Sequence, residues 1–268
     1  MIARSYLYVP AINAEMLRKA PGRGADALII DLEDSVALID KDQARENLIS
    51  WLDDLVTTTQ IWVRINPDTI DEDLKSIHSK NVYGVVVPKA TYSNMSYVSE
   101  KIGERYKLSA LIETAESVLD AHRIATVAGV SFLQIGVLDL TAELGLAESG
   151  NLETIKYALS HLVLASAAAG INQPIAPMFR DFNDLQALRE SCESYRDNGF
   201  FGRSCIHPKQ IEVINSAFDT SPEAIAEAQA ILDAVSAGQG TAVDSKGRMI
   251  DLASVKIARR IIESGRSG

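Results

Sequence analysis

Acids and cations recur in this chain where apolar runs stop. Residues 109–116 read SALIETAE, so that Ala110-Leu111-Ile112 ends abruptly in Glu113. The same happens at Asp31-Leu32-Glu33-Asp34 after ALII, at Arg64 in WVRINP and at Lys89 after VVVP. In FLQIGVLDL the acid is Asp139, three residues past Gly136. A carboxylate at the end of a buried strand does nothing for a core, so these residue types point to chemistry or to ion pairing. Glu113 and Asp139 on neighbouring strand ends would repel unless something positive lay between them. A divalent cation that takes oxygen ligands and keeps waters for a substrate, such as Mg²⁺, is one solution. Ion pairs from each acid to Arg64 or Lys89 are the other. Arg64 offers a planar fork that suits a carboxylate or a developing enolate oxygen, and suits equally well the role of counter-ion to the DLED acids.

Other chemistries find little support. No CxxC, HExxH or Walker-type glycine loop is present, and no Ser-His-Asp or Cys-His arrangement stands out. His78, His122 and His161 fall in stretches read as helical. His207 follows an apolar run in CIHPKQ, where capping or a loop hydrogen bond is its ordinary use. Cys205 lies in a strand-like run and reads as core, and two cysteines, Cys192 and Cys205, make no disulfide framework, in keeping with a reducing cytoplasm. The formal net charge of -10 opposes a nucleic-acid partner, since phosphates would be repelled over most of the surface. No segment has the roughly 20 apolar residues that a bilayer span needs. MIARSYLYVP at the start reads as a first strand, not a signal peptide.

These side chains need elements to position them. Apolar, β-branched runs occur at Tyr6–Val9, Ala27–Ile30, Ile61–Ile65, Val85–Val87, Ala110–Ile112, Phe132–Ile135, Pro174–Ala176 and Phe200–Ile206. Between them lie helical patterns. Residues 41–56 place Ala44, Leu48, Trp51, Leu52 and Leu55 on one face, 152–169 runs to a stop at Gly170, and 181–198 opens at Asp181 as a possible cap. Strand alternating with helix predicts parallel βαβ units, and eight strands predict a closed (β/α)₈ TIM barrel, with a doubly wound open sheet as the alternative. On this reading residues 1–218 are the barrel. Residues 219–268 are a helical and hairpin extension of the same structural domain, a lid or an oligomer arm. Ser221 and Pro222 open one helix there, Asp244–Gly247 reads as a turn, and LASVKIARRIIES reads as the last helix. Barrel enzymes carry their chemistry at the C-terminal strand ends, which is where the charges stand.

Taken together, several runs resemble a known family. They are RSYLYVP at 4–10, GADALIIDLEDSV at 24–36, VRINP at 63–67, GVVVPKA at 84–90, LIET at 111–114, IGVLDLTAELG at 135–145, GFFGRSCIHPKQIEVIN at 199–215 and GRMID at 247–251. In this order they resemble the citrate lyase beta-subunit-like proteins of the HpcH/HpaI aldolase family. The resemblance implies a (β/α)₈ barrel, commonly trimeric, that makes or breaks carbon–carbon bonds with Mg²⁺. It implies 3-hydroxy acyl thioesters of coenzyme A or an acyl carrier as substrates, cleaved to a 2-oxo acid and an acyl thioester. A thioester-independent aldolase acting on pyruvate-type 2-oxo acids and a malyl-coenzyme A type thioesterase are its alternatives. Carried over by motif, Glu113 and Asp139 would be the metal ligands, and Arg64 with Glu113 would line the substrate site. Arg64 would also stabilise the enolate, Asp251 would be the catalytic acid/base, and Glu33 and Asp34 would lie beside metal-bound water. The chain departs from the family pattern at AINAEM (11–16), which lacks the usual Gly-Asn turn and arginine, at Ala115-Glu116, and at PIAPMF (174–179). All three fall where a substrate would be recognised.

Overall fold

The computed structural model describes residues 3–147, 153–236 and 249–265. The chain divides into two compact units, Ala3–Ala217 and a second that takes up the chain from Phe218. The larger holds eight strands, all parallel to their neighbours: β1 Ser5–Pro10, β2 Ala27–Asp31, β3 Gln60–Arg64, β4 Val82–Val87, β5 Lys107–Ile112, β6 Val130–Ile135, β7 Ile175–Ala176 and β8 Gly202–Cys205. Their order is β6-β5-β4-β3-β2-β1-β8-β7. The two ends of that series meet at a seam, where Asn172 N donates to Ser131 O at 3.0 Å. The result is a (β/α)₈ barrel.

Helices return the chain between strands: α1 Ala14–Lys19, α2 Lys41–Asp53, α3 Ile70–Lys75, α4 Tyr92–Ile102, α5 Ala115–Leu119, α6 Ala121–Ala125, α7 Val137–Glu143, α8 Glu153–Ala169, α9 Leu185–Asp197 and α10 Ile211–Ala217. Outward strand residues such as Leu28, Ile30, Val63, Val85 and Val87 are fully buried beneath them. Strands covered on both faces must be apolar on both, which is why their sequences read as continuous runs.

Inside the barrel, alternate residues build three levels, because positions i and i+2 share a face. Nearest the strand starts is an aromatic plug. The ring of Phe132 lies 5.0 Å from Trp62, 5.3 Å from Tyr6 and 5.7 Å from Phe201. Next comes a polar level, in which Tyr8 Oη donates to Gln134 Oε1 at 3.4 Å and Gln134 Nε2 donates to Ser109 Oγ at 2.9 Å. At the strand ends the charged residues begin.

Several local expectations shift. α2 stops at Asp53, leaving Leu55 beyond the helix, and buries Ala44, Leu48 and Leu52. Asp181 does not cap α9. It accepts from Asn183 N in a turn, and Asp184 is the cap, accepting from Ala187 N at 3.0 Å. Both are aspartates with a free backbone N–H two or three residues on, and sequence alone does not choose between them. His78 lies in the connection after α3, not in a helix, while His122 and His161 are helical. His207 Nδ1 accepts from Lys209 N, a local cap. Gly170 ends α8 with φ +70°.

In the second unit, α11 Pro222–Ser236 starts at Ser221, whose Oγ accepts from Ala224 N. It packs against α12 Leu252–Gly265. Ala228, Val255 and Ala258 are buried. The Asp244–Gly247 turn lies outside the described residues.

Gly84 exposes the tolerance of the barrel interior. A Cβ there would sit 2.4 Å from Trp62 Cζ3 and 2.8 Å from Lys107 O. Gly84→Ala is therefore expected to cost about 1–3 kcal/mol through overpacking, read as a fall of several degrees in the melting temperature. An unchanged melting temperature would mean that the Trp62 indole moves aside freely.

Candidate active site

Asp31 ends β2 and Arg64 ends β3, and the two are register partners. Arg64 Nε donates to Asp31 Oδ1 and Nη2 to Asp31 Oδ2, both at 2.7 Å. The pair is nearly dry, with Asp31 1% and Arg64 7% exposed. Burial alone would raise the Asp31 carboxyl, but the Arg64 guanidinium and the N–H groups below hold it under the usual carboxylate range. Asp31 also accepts from Glu33 N at 2.9 Å and Ser35 N at 3.1 Å, which folds the DLED segment back over the strand end. Beneath the guanidinium lies the Tyr8 ring, its centroid 5.1 Å away. Burial drives the Tyr8 phenol well above its usual range, so it stays neutral.

The third nitrogen of Arg64 faces two further acids. Nη1 lies 2.8 Å from Glu33 Oε2 and donates to Asp34 Oδ2 at 3.3 Å. The counter-ion arrangement open from the sequence is thus present in full. Asp34 is its loosest member, because its side chain is 58% exposed.

Lys89 joins the two halves of the mouth. It follows β4 with φ +45°, in the left-handed region that non-glycine residues rarely adopt. Its Nζ donates to Glu33 Oε1 at 2.6 Å, and its backbone N donates to Glu113 Oε1 at 2.6 Å. The sequence marked Lys89 as a cation at a strand end and gave no sign that its backbone would be used. A strained φ beside charged groups is typical of a functional turn.

Glu113 stands one residue beyond β5 and is 2% exposed. Its second oxygen, Oε2, points to Gly136. A Cβ on Gly136 would lie 2.6 Å from Glu113 Oε2 and 3.5 Å from Asp139 Oδ2, so both carboxylates converge on a spot that only glycine leaves open. Asp139 is exposed and sits in the first turn of α7, not on a continuation of β6 as the run FLQIGVLDL suggested. Burial pushes the Glu113 carboxyl up to about 7, and the Glu33 and Asp139 charges add to the rise against the Lys89 N–H. Burial raises Glu33 as well.

This donor set fits a hard divalent cation. Among the described residues no three His, Cys, Asp or Glu side chains form a metal cage, and Mg²⁺ asks for less: one or two carboxylates, with waters and substrate oxygens completing the octahedron. Glu113 Oε2 and Asp139 Oδ2 supply two anionic oxygens on one side. Asp31, Glu33, Asp34, Glu113 and Asp139 outnumber the cations beside them, Arg64, Lys89 and Lys41. Asp251 belongs to the second unit. It caps α12, accepting from Ser254 N at 2.7 Å and Ser254 Oγ at 2.8 Å, and these bonds hold its carboxyl below the usual range.

Asp31→Asn leaves a buried guanidinium short of its best partner, a loss of about 3–5 kcal/mol at neutral pH when a buried pair is broken. The wild-type pair contributes above the unfolded aspartate pKa and fades as pH falls through the lower folded value. The stability gap between the two proteins, measured by urea titration, is therefore expected to narrow below pH about 4. A gap constant with pH would sink the ion-pair account.

Comparison with known proteins gives this geometry a context. A (3S)-malyl-CoA thioesterase of Cereibacter sphaeroides is 32% identical over 268 residues, covering 97% of this chain and 93% of that protein. A citrate lyase subunit beta-like protein of Deinococcus radiodurans is 31% identical over 97% of this chain and 96% of its own length. Among solved structures, CitE from Mycobacterium tuberculosis in complex with magnesium, acetoacetate and coenzyme A superposes with a TM-score of 0.79 at 28% identity, covering 98% of each chain. A family model described as HpcH/HpaI aldolase/citrate lyase matches residues 4–208. With eight parallel strands carrying the matched motifs to one mouth, the chain belongs to the HpcH/HpaI aldolase/citrate lyase family.

Proposed function

We propose that the protein is a Mg²⁺-dependent carbon–carbon lyase that cleaves or forms a 3-hydroxy acyl thioester, of the citryl-, malyl- or citramalyl-coenzyme A kind, with a 2-oxo acid as the other partner. The observation that carries this reading is the convergence of Glu113 Oε2 and Asp139 Oδ2 on Gly136, beside an arginine held rigidly by Asp31. The magnesium, acetoacetate and coenzyme A in the CitE complex support it.

Glu113 and Asp139 are the residues that would hold Mg²⁺. When bound, the ion would supply Lewis-acid polarisation to the 2-oxo acid. Gly136 leaves that approach open. Arg64 is pre-aimed by its two bonds to Asp31, so its charge costs no reorganisation when negative charge grows on a thioester oxygen. To reach that oxygen Nη1 exchanges Asp34, the exposed and most distant of its acids, and keeps the rest. Glu33, held between Lys89 and Arg64, is the carboxylate that would face water bound to the ion. Asp251 exchanges the proton at the enolate carbon. Its bonds to Ser254 hold the carboxyl below the usual range and make it a weak base.

A thioesterase is the second reading, favoured by the likeness to the (3S)-malyl-CoA thioesterase of Cereibacter sphaeroides. The residues serve both, because hydrolysis of a malyl thioester places negative charge on the same thioester oxygen.

Glu113→Ala and Asp139→Ala are each expected to abolish Mg²⁺ binding, measured by calorimetry, while leaving the melting temperature near that of the wild type. Retained tight binding in both removes the metal assignment. A proton must leave Glu113 for the ion to enter, so Mg²⁺ affinity is expected to fall about tenfold per pH unit below about 7 and to level off above it. Affinity independent of pH between 6 and 8 would place the ion elsewhere.

Asp251→Asn is expected to leave Mg²⁺ affinity unchanged and to slow turnover of malyl- or citramalyl-coenzyme A by at least about a hundredfold, within the usual contribution of a proton-transfer group. Assays that follow both the 2-oxo acid and free coenzyme A separate the readings. Equimolar glyoxylate or pyruvate with acetyl-coenzyme A denotes the lyase. Malate or citramalate with free coenzyme A denotes the thioesterase.

A further inference from the structure

Lys41 is the first residue of α2 and is partly buried. Its Nζ donates to Leu32 O at 2.7 Å, to Glu33 O at 2.6 Å and to Asn66 Oδ1 at 2.6 Å. All three acceptors are neutral. An ammonium is the side-chain group that delivers three hydrogen bonds from one atom, so this contact is specific to lysine. Asn66 is fixed in turn. Its backbone N and Nδ2 donate to Asp73 Oδ2 at 2.6 and 2.7 Å, which orients the amide with Oδ1 toward Lys41. Asp73 is fully buried and is neutralised by Arg45 Nη1 at 2.7 Å. A continuous polar chain therefore runs from Arg45 on α2, through Asp73 on α3 and Asn66 after β3, to the two carbonyls on either side of the Glu33 side chain.

Those carbonyls belong to the peptide planes that aim Glu33. The Glu33 carboxylate meets Lys89 Nζ and Arg64 Nη1, and the backbone N of the same Lys89 meets Glu113. Asp31 ties the loop down through Glu33 N, on the opposite edge of the Leu32–Glu33 peptide, and through Ser35 N two residues further on. The loop is held by an anion at its N–H groups and by a cation at its C=O groups.

We propose that Lys41 is a positioning residue of the mouth, acting through Glu33 and Lys89 on Glu113, with Asn66 and Asp73 as its support. The proposal rests on the reading of Glu113 and Asp139 as Mg²⁺ ligands. A residue that merely stabilised α2 would change the melting temperature and leave ion affinity alone.

The test uses full-length protein and Mg²⁺ alone as the probe. Lys41→Met keeps the length and apolar stem and removes all three donors. Its Mg²⁺ dissociation constant, measured well below its melting temperature, is expected to rise about tenfold, the usual scale for losing a residue that orients a metal ligand. In a Glu33→Gln background the same substitution is expected to change affinity less than about twofold, because the group through which Lys41 acts is already disabled. A crystal structure of Lys41→Met is expected to show Glu33 out of hydrogen-bond distance of Lys89. Lys41→Gln, which keeps two donors, replaces it if the methionine variant does not fold, with a smaller change of the same sign.

Unchanged affinity with a lowered melting temperature overturns the proposal, as does an equal loss in both backgrounds. If the wild type takes up no Mg²⁺, the metal reading falls. The crystal structure then decides on Lys41 by itself, and a Glu33–Lys89 bridge that survives the loss of Lys41 overturns it.

Discussion

A guanidinium in the throat of a closed barrel is the constraint from which the mouth follows. Arg64 is cut off from water on a strand whose neighbours are packed, and an isolated charge there would cost far more than the chain's stability. Its fork must be met by a carboxylate on the adjacent strand end, and Asp31 is the register partner that meets it. Once Asp31 is committed, its remaining lone pairs take the N–H groups of Glu33 and Ser35, and the DLED segment folds back. That fold brings Glu33 to Arg64 and Lys89, and Lys89 in turn holds Glu113.

Lower in the barrel, the same alternation that aims charges at the mouth closes the other end. Tyr6, Trp62, Phe132 and Phe201 fill the space around the strand starts, and the uncharged bonds among Tyr8, Gln134 and Ser109 separate that apolar plug from the acids. Tyr8 serves both levels, with its hydroxyl in the polar layer and its ring beneath Arg64. A neutral layer there lets the charged groups work against a low-dielectric floor, where their interactions are stronger than in water.

The mouth is built to be incomplete. Its cations are consumed by Asp31, Glu33 and Asp34, whereas Glu113 receives one backbone N–H, and among the described residues no cation pairs with Asp139. A buried carboxyl raised to about 7, facing a second carboxylate across a bare glycine, has the donor chemistry that the proposed Mg²⁺ would require. Family membership and this local charge balance point the same way from independent starting points.

Along the chain, the order of elements was legible because strands buried on both faces must be continuously apolar and the helices between them must carry one apolar stripe. Glu113, Arg64, Lys89 and the DLED acids could be singled out because charge at the end of such a run must be paired or put to use. The periodicity could not show that Asp139 stands on a helix turn, since a short apolar run past a glycine suits strand and helix alike. Nor could it choose Asp184 over Asp181 as a cap. Who pairs with whom was decided in three dimensions. The left-handed turn at Lys89, the convergence on Gly136 and the three-way grip of Lys41 depend on closing residues far apart in sequence to within hydrogen-bond distance. One-dimensional pattern records which residues avoid water. The partners of the polar ones are fixed by register and barrel closure, because a hydrogen bond is short and directional and burial is neither.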